Sequence, residues 1–160
     1  GDDYFFCIVT DSPWKVGKNY VATIDVAGEG KEEYKVADKD HFAKGTLVAF
    51  RMNSKGEADA VVAQYVYESN NNSLDNQDDD IRVVEGRVDE VDGSYVTLKS
   101  GGGTYKVASD AVIYNIKKDG SFKLGNAIRL SKIDENDYVV MILDEDDIVR
   151  AIAVYYHEDR

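Results

Sequence analysis

One segment of this chain occurs twice. Residues 137–156, DYVVMILDEDDIVRAIAVYY, align without a gap with residues 46–65, TLVAFRMNSKGEADAVVAQY. Each copy contains two runs of apolar, strand-forming residues separated by a short polar turn, which is the pattern of a β-hairpin. A repeated sequence predicts a repeated structural unit, so we expect each hairpin to close one of two similar modules.

The repeat extends upstream of the two hairpins. YKVA occurs at residues 34–37 and again at residues 105–108, and CIVTDS at residues 7–12 matches GRVDEV at residues 86–91. The order of strand, strand, YKVA strand and closing hairpin is therefore the same in both halves. The second half also carries an insertion, residues 109–134, between its YKVA strand and its hairpin.

Short strand-like runs and turn signals alternate along the whole chain. Asp92-Gly93, for example, is a two-residue hairpin signal between two such runs. Regular alternation of this kind predicts an all-β fold, here two tandem small β-barrel or sandwich modules related by the internal repeat. No segment has a convincing helical period, although residues 37–44, ADKDHFAK, fit one helical turn capped by Asp38 or Asp40.

A polar segment divides the chain. Residues 68–80, ESNNNSLDNQDDD, are rich in Asn and Asp, which favour turns over strand ladders. We therefore predict a first β module at residues 1–68, a linker at residues 69–80, and a second β module with an inserted hairpin at residues 81–160. Modules of about 70–80 residues bury only about 60% of their unfolded surface. We expect the two to pack together or to assemble with neighbours.

Two stretches carry mixed signals. We predict that DSP at residues 11–13 ends the first strand, because proline belongs in a turn or at a strand edge, and this places Trp14 in a turn. Within the insertion, we predict separate strands at residues 111–116 and 127–130, since turn residues lie between them.

The acidic composition limits the partners of the chain. A net charge of −12 disfavours nucleic acid, which proteins bind largely through Lys and Arg, and anionic membrane surfaces. No apolar run approaches the roughly 20 residues of a membrane-spanning helix, so we expect no membrane insertion. The chain begins with Gly rather than Met, and we interpret it as a fragment or a processed form.

Few residues suit catalysis. The chain has one cysteine, Cys7, and two histidines, His41 and His157. Nucleophilic catalysis requires a nucleophile with a base and an orienting group beside it, and no local context supplies them. Cys7 lies in the apolar run FFCIV and is predicted to be a core residue. We therefore expect no catalytic residues and no enzyme; a glycoside hydrolase, which needs a pair of carboxylates, is the third choice of function.

Carboxylates are the abundant chemical groups. Calcium binds about six to eight oxygen ligands in flexible geometry. Candidate ligands occur in DNQDDD and in the hairpin turn DEDD, and they are Asp75, Asp78, Asp80, Asp144 and Asp146. Such acids also occur as a solvated surface that discourages pairing between strand edges. Calcium is the one cofactor that the sequence suggests.

Aromatic residues suggest a second kind of site. Most tyrosines fall on predicted strands, where packing and β-propensity account for them. Trp14 is the only tryptophan and lies outside those strands. We therefore regard Trp14 as a candidate carbohydrate-binding residue.

The second half also resembles a known family. VEGRVDEVDGSYVTL, TYKVASDAVIYN and DYVVMILDEDDIVRAIAVY are similar to the repeated small β modules of Gram-positive bacterial cell-surface and S-layer-associated proteins, which contain S-layer homology domains. The resemblance covers most of residues 83–156 and, more loosely, residues 5–67.

This resemblance implies a setting rather than a mechanism. It implies a non-catalytic structural or assembly module of an S-layer-like protein, located outside the cell, at the bacterial surface or secreted. The implied partners are other cell-surface protein domains, further copies of the chain or cell-wall polysaccharide. A carbohydrate-binding or cell-wall-binding module is the alternative function.

Overall fold

β-strands form most of the structure. The computed structural model describes residues 3–65, 80–119 and 121–155, and it is 68% strand and 5% helix. The prediction of an all-β fold with two tandem modules is confirmed, because the strands form two closed five-stranded barrels. The modules are therefore barrels rather than sandwiches.

The first barrel contains the first five strands. They are β1 (Phe5–Val16), β2 (Asn19–Val26), β3 (Gly30–Val36), β4 (Thr46–Met52) and β5 (Ala58–Tyr65). The strands close in the order β1-β2-β3-β5-β4, and a 3₁₀ helix, Lys39–His41, lies between β3 and β4. β3 and β5 pair in parallel, while the other neighbours are antiparallel. This order and these directions define a Greek-key barrel of the OB type.

The second barrel repeats this arrangement with one addition. Its elements are β6 (Arg82–Asp92), β7 (Tyr95–Leu98), β8 (Gly103–Asp119), β9 (Ser121–Ala127), a 3₁₀ helix (Leu130–Lys132), β10 (Tyr138–Leu143) and β11 (Ile148–Tyr155). The closed barrel has the order β6-β7-β8-β11-β10, which corresponds strand by strand to the first barrel. β9 is the addition, and it pairs with the second half of β8.

Strand register shows that the two barrels are equivalent in detail. Val36 of the first YKVA segment pairs in parallel with Ala58. Val107 of the second YKVA segment pairs in parallel with Val149, which aligns with Ala58 in the gapless repeat. The short segments of weak similarity upstream of the hairpins, such as the two YKVA segments, are therefore part of the same structural repeat.

The equivalence also includes the two 3₁₀ helices. They begin at Lys39 and Leu130. These two residues align with each other when the gapless alignment of the hairpins is extended toward the N-terminus. The Oδ1 atom of Asp38 caps the first of these helices, because it accepts a hydrogen bond of 2.9 Å from the backbone N–H of Asp40. The predicted helical turn within residues 37–44 is confirmed, with Asp38 as its cap.

β1 is longer than the sequence predicted. The strand does not end at residues 11–13 but continues to Val16, so the predicted turn is wrong. Its pairing with β2 shifts register twice between Val9 and Trp14. Such interruptions of the ladder tolerate a proline, which has no N–H to donate. Trp14 consequently lies in a strand, paired with Val21, and not in a turn.

The insertion is also arranged differently from the prediction. Residues 111–116 belong to β8, which continues from the YKVA segment, and of residues 127–130 only Ala127 lies in a strand, as the last residue of β9. β8 remains one strand because it bulges between the residues that pair with Val149 and Ala151, and then continues beside β11.

Three apolar clusters hold the structure together. One fills the first barrel and includes Cys7, whose predicted place in the core is confirmed, and a second fills the second barrel. The third lies between the barrels. β1, β4, β10 and β11 each contribute one face to a barrel interior and the other face to this third cluster. Burial on both faces explains why these strands are continuous apolar runs rather than alternating ones.

The predicted module boundaries stay predictions. The strands of the barrels extend from Phe5 to Tyr65 and from Arg82 to Tyr155. Residues 69–79 of the predicted linker lie outside the described residues.

Candidate functional site

The two barrels meet through corresponding faces. Ala49 and Val62 of the first barrel align with Val140 and Ala153 of the second, and all four belong to the apolar cluster between the barrels. None of these four is more than 4% exposed. The two barrels thus contribute equivalent patches to their interface, as the two subunits of a two-fold symmetric dimer do. We call this cluster, together with the polar contacts around it, the junction.

The insertion enlarges the junction on one side. Val112, Tyr114 and Ile116 of β8 belong to the same apolar cluster. The equivalent strand of the first barrel, β3, ends at Val36 before it reaches the corresponding positions. The insertion therefore contributes to contact between the barrels.

A tyrosine and an aspartate connect the barrels across the junction. The hydroxyl of Tyr114 donates a hydrogen bond of 2.7 Å to Oδ2 of Asp25, which lies on β2. Burial raises the pKa of Tyr114, and the hydrogen bond to Asp25 raises it further. The phenol therefore stays protonated and remains a donor.

Arg150 of β11 forms a second set of contacts. Its Nη1 lies 3.3 Å from Oδ2 of Asp144, and its Nη2 lies 3.8 Å from Oδ1 of Asp110 on β8. The guanidinium also lies over the ring of Phe6 in the first barrel, 5.5 Å from the ring centroid. A cation over an aromatic face contributes about 0.5–1 kcal/mol at exposed sites. Arg150 thus joins two acids of its own barrel to an aromatic ring of the other.

Asp110 also touches the first barrel. Gly28, in the turn between β2 and β3, has a φ of +81°, and a Cβ atom there would lie 2.7 Å from Oδ2 of Asp110. Glycine suits both the left-handed conformation and the close approach. The turn of the first barrel therefore lies next to the Asp110 side chain on the bulge of β8, and a side chain at residue 28 would displace the end of that side chain.

Asp144, a calcium candidate, is part of a turn. Its Oδ1 accepts hydrogen bonds from the backbone N–H groups of Asp146, at 2.9 Å, and Ile148, at 3.0 Å. Asn53, which aligns with Asp144, accepts the same pair of bonds in the first barrel. An amide oxygen fills this role in one copy, so the role of the Asp144 side chain in the turn does not depend on its charge.

The other calcium candidates do not form a site with Asp144 in the described residues. Asp146 is exposed in the same turn, and Asp80 is exposed just before β6. Asp75 and Asp78 lie outside the described residues. Within the part of the chain that the structure describes, no group of three or more His, Cys, Asp or Glu side chains is arranged to hold a metal ion. Calcium binding stays a prediction.

Trp14 lies on the outer face of the first barrel. It is 38% exposed and pairs with Val21 of β2, which in turn pairs with Lys35 of β3. Directly paired residues of neighbouring strands share a face, so these three side chains form a row across three strands. Val16, two residues after Trp14, is 51% exposed and extends the apolar part of the row. We call this surface the Trp14 row.

The second barrel carries an acidic groove between the end of β6 and its 3₁₀ helix. The residues that line it are Asp89, Glu90, Val91, Gly93, Ser131, Ile133, Asp134 and Glu135. Glu135 pairs with Lys99 at 3.2 Å. The carboxylates of the groove favour a cationic ligand over an anionic one.

Cys7 and His41 do not form a catalytic pair at the surface. Cys7 is fully buried, and burial raises the pKa of its thiol, so it is both inaccessible and neutral. His41 lies in the first 3₁₀ helix, where its Nδ1 is 3.8 Å from Oδ2 of Asp38. His157 lies outside the described residues.

No family model, curated protein or solved structure matches this chain. In the part of the chain that is described, no helix is long and apolar enough to cross a membrane. The function is therefore argued from the geometry of the junction and of the surfaces around it.

The polar contacts of the junction could not be predicted from the sequence. A tyrosine or a charged residue on a strand, such as Tyr114, Asp25 or Arg150, is unremarkable by itself. One usable signal was the lack of alternation in runs such as VVMIL of β10, which indicates a strand buried on both faces. A second signal was the insertion, which marks where the two copies differ in their contacts.

Proposed function

We propose that the chain is a non-catalytic structural or assembly module of an S-layer-like bacterial cell-surface protein, located outside the cell. The observation that carries the proposal is the junction, a buried apolar cluster shared by both barrels. Domains that share a hydrophobic interface keep one relative orientation, which a spacer or an assembly unit requires. The resemblance of residues 83–156 to modules of such proteins supports the same setting.

The polar contacts of the junction favour one relative orientation of the two barrels. Apolar burial is non-directional, whereas hydrogen bonds depend on angle as well as distance. The bond from Tyr114 to Asp25 and the stacking of the Arg150 guanidinium over Phe6 link the barrels at two separate places. Together they favour a single arrangement of the two barrels over sliding of one on the other.

Antibody labelling of intact cells tests the proposed location. We expect an antibody against the folded chain to label intact cells of the source organism, and we expect external protease to remove the label. An antibody against a cytoplasmic protein of the same cells is the control for leakage. Labelling that appears only after lysis would contradict the proposal.

Carbohydrate binding is the second candidate function, and the Trp14 row favours it. OB-type barrels bind oligosaccharides through the face formed by their second and third strands. Val21 and Lys35 of the row lie on those strands, and Trp14 extends it with an exposed indole.

Titration with purified cell-wall polysaccharide separates the two functions. Carbohydrate binding predicts saturable binding that Trp14→Ala weakens at least about tenfold, because aromatic anchors dominate such contacts. Tyr95→Ala is the matched control, since Tyr95 is 47% exposed on the second barrel. A spacer predicts no saturable binding by any of these proteins.

A further inference from the structure

The two copies of the repeat differ at one strand edge. In the second barrel, β11 is paired on both sides, with β10 on one side and with residues 112–116 of β8 on the other. β5 is the equivalent of β11 in the first barrel. β5 is paired with β4 along its length, but on its other side, among residues 58–63, the described residues pair only with Ala58.

The edge is open because β3 is short. β3 ends at Val36, and the chain then enters the 3₁₀ helix, whereas β8 continues past the equivalent position alongside β11. The 3₁₀ helix does not replace the missing strand. It aligns with the 3₁₀ helix of the second barrel, and that barrel accommodates both its helix and the second half of β8.

Corresponding hydrogen bonds hold the segments after both helices in the same place. The backbone N–H of Gly45 donates to the carbonyl oxygen of Val9, at 2.8 Å. The backbone N–H of Asn136, which aligns with Gly45, donates to the carbonyl oxygen of Val88, at 2.8 Å. Because these anchors match, the two edges are directly comparable: among the described residues, no strand pairs with residues 60–63 of β5 where residues 112–116 of β8 pair with β11.

The open edge is suited to strand addition. Residues 60–63 are Ala-Val-Val-Ala, without a charged residue or a proline, which are two of the usual means of blocking an exposed strand edge. β5 has a register irregularity at Val61, within this edge, whereas the irregularity of β11, at Arg150, precedes residues 151–155, which pair with β8. An added strand therefore has to accommodate the bulge at Val61, as β4 does on the other side of β5.

We propose that the edge of β5 at residues 60–63 binds an extended segment of another protein chain in parallel. The second barrel indicates the chemistry of that segment: β-branched or aromatic residues at alternate positions, as at Val112, Tyr114 and Ile116. Those side chains extend the junction from β11, and Val62 on β5 already belongs to the junction cluster. The added strand extends the same apolar surface and gains main-chain hydrogen bonds. The proposal does not depend on a surface location or on carbohydrate binding.

A synthetic peptide with the sequence of residues 109–118, SDAVIYNIKK, is the probe, and the whole chain is its target. We expect saturable binding and at least about tenfold slower hydrogen exchange at residues 60–63, because ladder hydrogen bonds protect edge amides. A spin label at the N-terminus of the peptide is expected to broaden the amide signals near Ala60 more than those near Gln64. That pattern identifies the parallel direction.

Two controls isolate the backbone ladder. A peptide N-methylated at alternate residues keeps its side chains, and we expect it to bind about tenfold more weakly, as expected from the loss of two ladder hydrogen bonds. Val61→Lys places a charge at the edge and should also weaken binding, whereas Val16→Lys, on the exposed Trp14 row, should not. The N-methylated peptide keeps the test valid if Val61→Lys does not fold.

Three results would overturn the proposal. One is unchanged exchange at residues 60–63 in the presence of millimolar peptide. Another is altered exchange at residues 151–155 instead, which would mean that the peptide displaces β8 from the second barrel. Equal affinity of the N-methylated and unmodified peptides would likewise exclude a main-chain ladder.

Discussion

Tyr114 and Gly28 illustrate opposite requirements at the junction. Tyr114 supplies a hydroxyl that donates to Asp25 of the other barrel, at 2.7 Å. Gly28 supplies no side chain, so Asp110 of the other barrel can lie close to its backbone. The first residue adds a directional bond between the barrels, and the second leaves room for a neighbour.

Tyr114→Phe removes the hydroxyl and keeps the ring. We expect the free energy of unfolding to fall by about 1–2 kcal/mol, because the carboxylate of Asp25 loses a donor near the buried junction. Urea denaturation measures the change. Tyr95→Phe, at an exposed position on the second barrel, should change it by less than about 0.5 kcal/mol. Equal effects of the two substitutions would contradict the assigned role.

The same hydroxyl predicts a dependence of stability on alkaline pH. Burial raises the pKa of Tyr114 above its ordinary value of 10.0, so the folded protein keeps a proton that the unfolded chain releases. The free energy of unfolding should then fall as the pH rises above about 10, and not below it. We expect a steeper fall for the native protein than for Tyr114→Phe between about pH 10 and pH 11. Parallel curves would show that Tyr114 titrates as an ordinary phenol.

Gly28→Ala adds one carbon atom next to Oδ2 of Asp110. We expect a loss of stability of about 1–2 kcal/mol, mostly from the left-handed backbone, because the end of the half-exposed Asp110 side chain can move away from the added carbon. The excess over the Gly17→Ala control is the weakened ion pair of Asp110 with Arg150, at most about 1 kcal/mol. Gly17→Ala is the matched control, because Gly17 has a φ of +61° and nothing within 4 Å of the added carbon. The control should lose only about 1 kcal/mol, from the backbone alone. Thermal denaturation compares the two, and similar losses would mean that Asp110 moves aside without cost.

The closing hairpins show how one turn is made with two different residues. Asn53 and Asp144 occupy the same position, and the side-chain oxygen of each accepts backbone N–H groups two and four residues later. Either an amide or a carboxylate oxygen satisfies these donors. The hairpin therefore conserves the geometry of its turn rather than its charge.

Substitutions at Asp144 separate the turn from the charge. Asp144→Ala removes both hydrogen bonds and should cost about 1–2 kcal/mol. Asp144→Asn keeps the acceptor and loses only the ion pair with Arg150, which should cost less than about 1 kcal/mol. Urea denaturation of both variants gives the order of the losses. An asparagine variant as unstable as the alanine variant would show that the ion pair dominates.

The elements predicted correctly from the sequence are those determined locally. The hairpins, the YKVA strands and the capped helical turn depend on periodicity and turn chemistry within a few residues. Two features depend on pairing with a neighbouring strand across a shift in register. They are the extension of β1 past Pro13 and the continuity of β8. Pairing of that kind is non-local, so a single sequence without alignment does not reveal it.

The site was less predictable than the fold for the same reason. Tyr114 and Asp25 are far apart in the sequence and meet only when both barrels are in place. Trp14 was predicted to be a carbohydrate-binding residue because it was expected in a turn; it lies in β1, and its row with Val21 and Lys35 follows from strand register. Carbohydrate binding by Trp14 stays a prediction. Asp144 was interpreted by its charge, whereas its contacts show the acceptor of a turn.

The shared junction predicts that the two barrels unfold together. Trp14 fluorescence reports on the first barrel, and far-ultraviolet circular dichroism reports on both. Coincident transitions are the criterion for a single cooperative unit, and we expect them for the native protein. Two separate transitions would mean that the apolar cluster between the barrels does not couple them.

Ala153→Glu tests the origin of this coupling. A carboxylate at this buried position of the junction lacks a partner, and we expect a loss of about 3–5 kcal/mol and separation of the two transitions. Ala127→Glu, at an exposed position on β9, is the matched control and should leave them coincident. Coincident transitions in Ala153→Glu would contradict the role of the junction.

Calcium binding is tested on the whole molecule by melting curves in calcium, in chelator and in salt of matched ionic strength. A site saturated at 100 times its dissociation constant would stabilise the fold by about 2.7 kcal/mol. We expect Asp144→Asn to respond to calcium as the native protein does, because the Asp144 side chain already serves the turn and Arg150. Substitution of Asp75, Asp78 and Asp80 by Asn should abolish any response that exists. A calcium response lost only in Asp144→Asn would place the ion at the hairpin instead.

The position of β1 and β11 has a mechanical consequence. These strands, the first and the last of the described structure, contact each other across the junction. Tension that enters through β1 and leaves through β11 is transmitted directly from one to the other, while β2, β3 and β7 lie off the force path. Under tension, the contact between the two barrels should therefore break first, and each barrel should unfold only at a higher force.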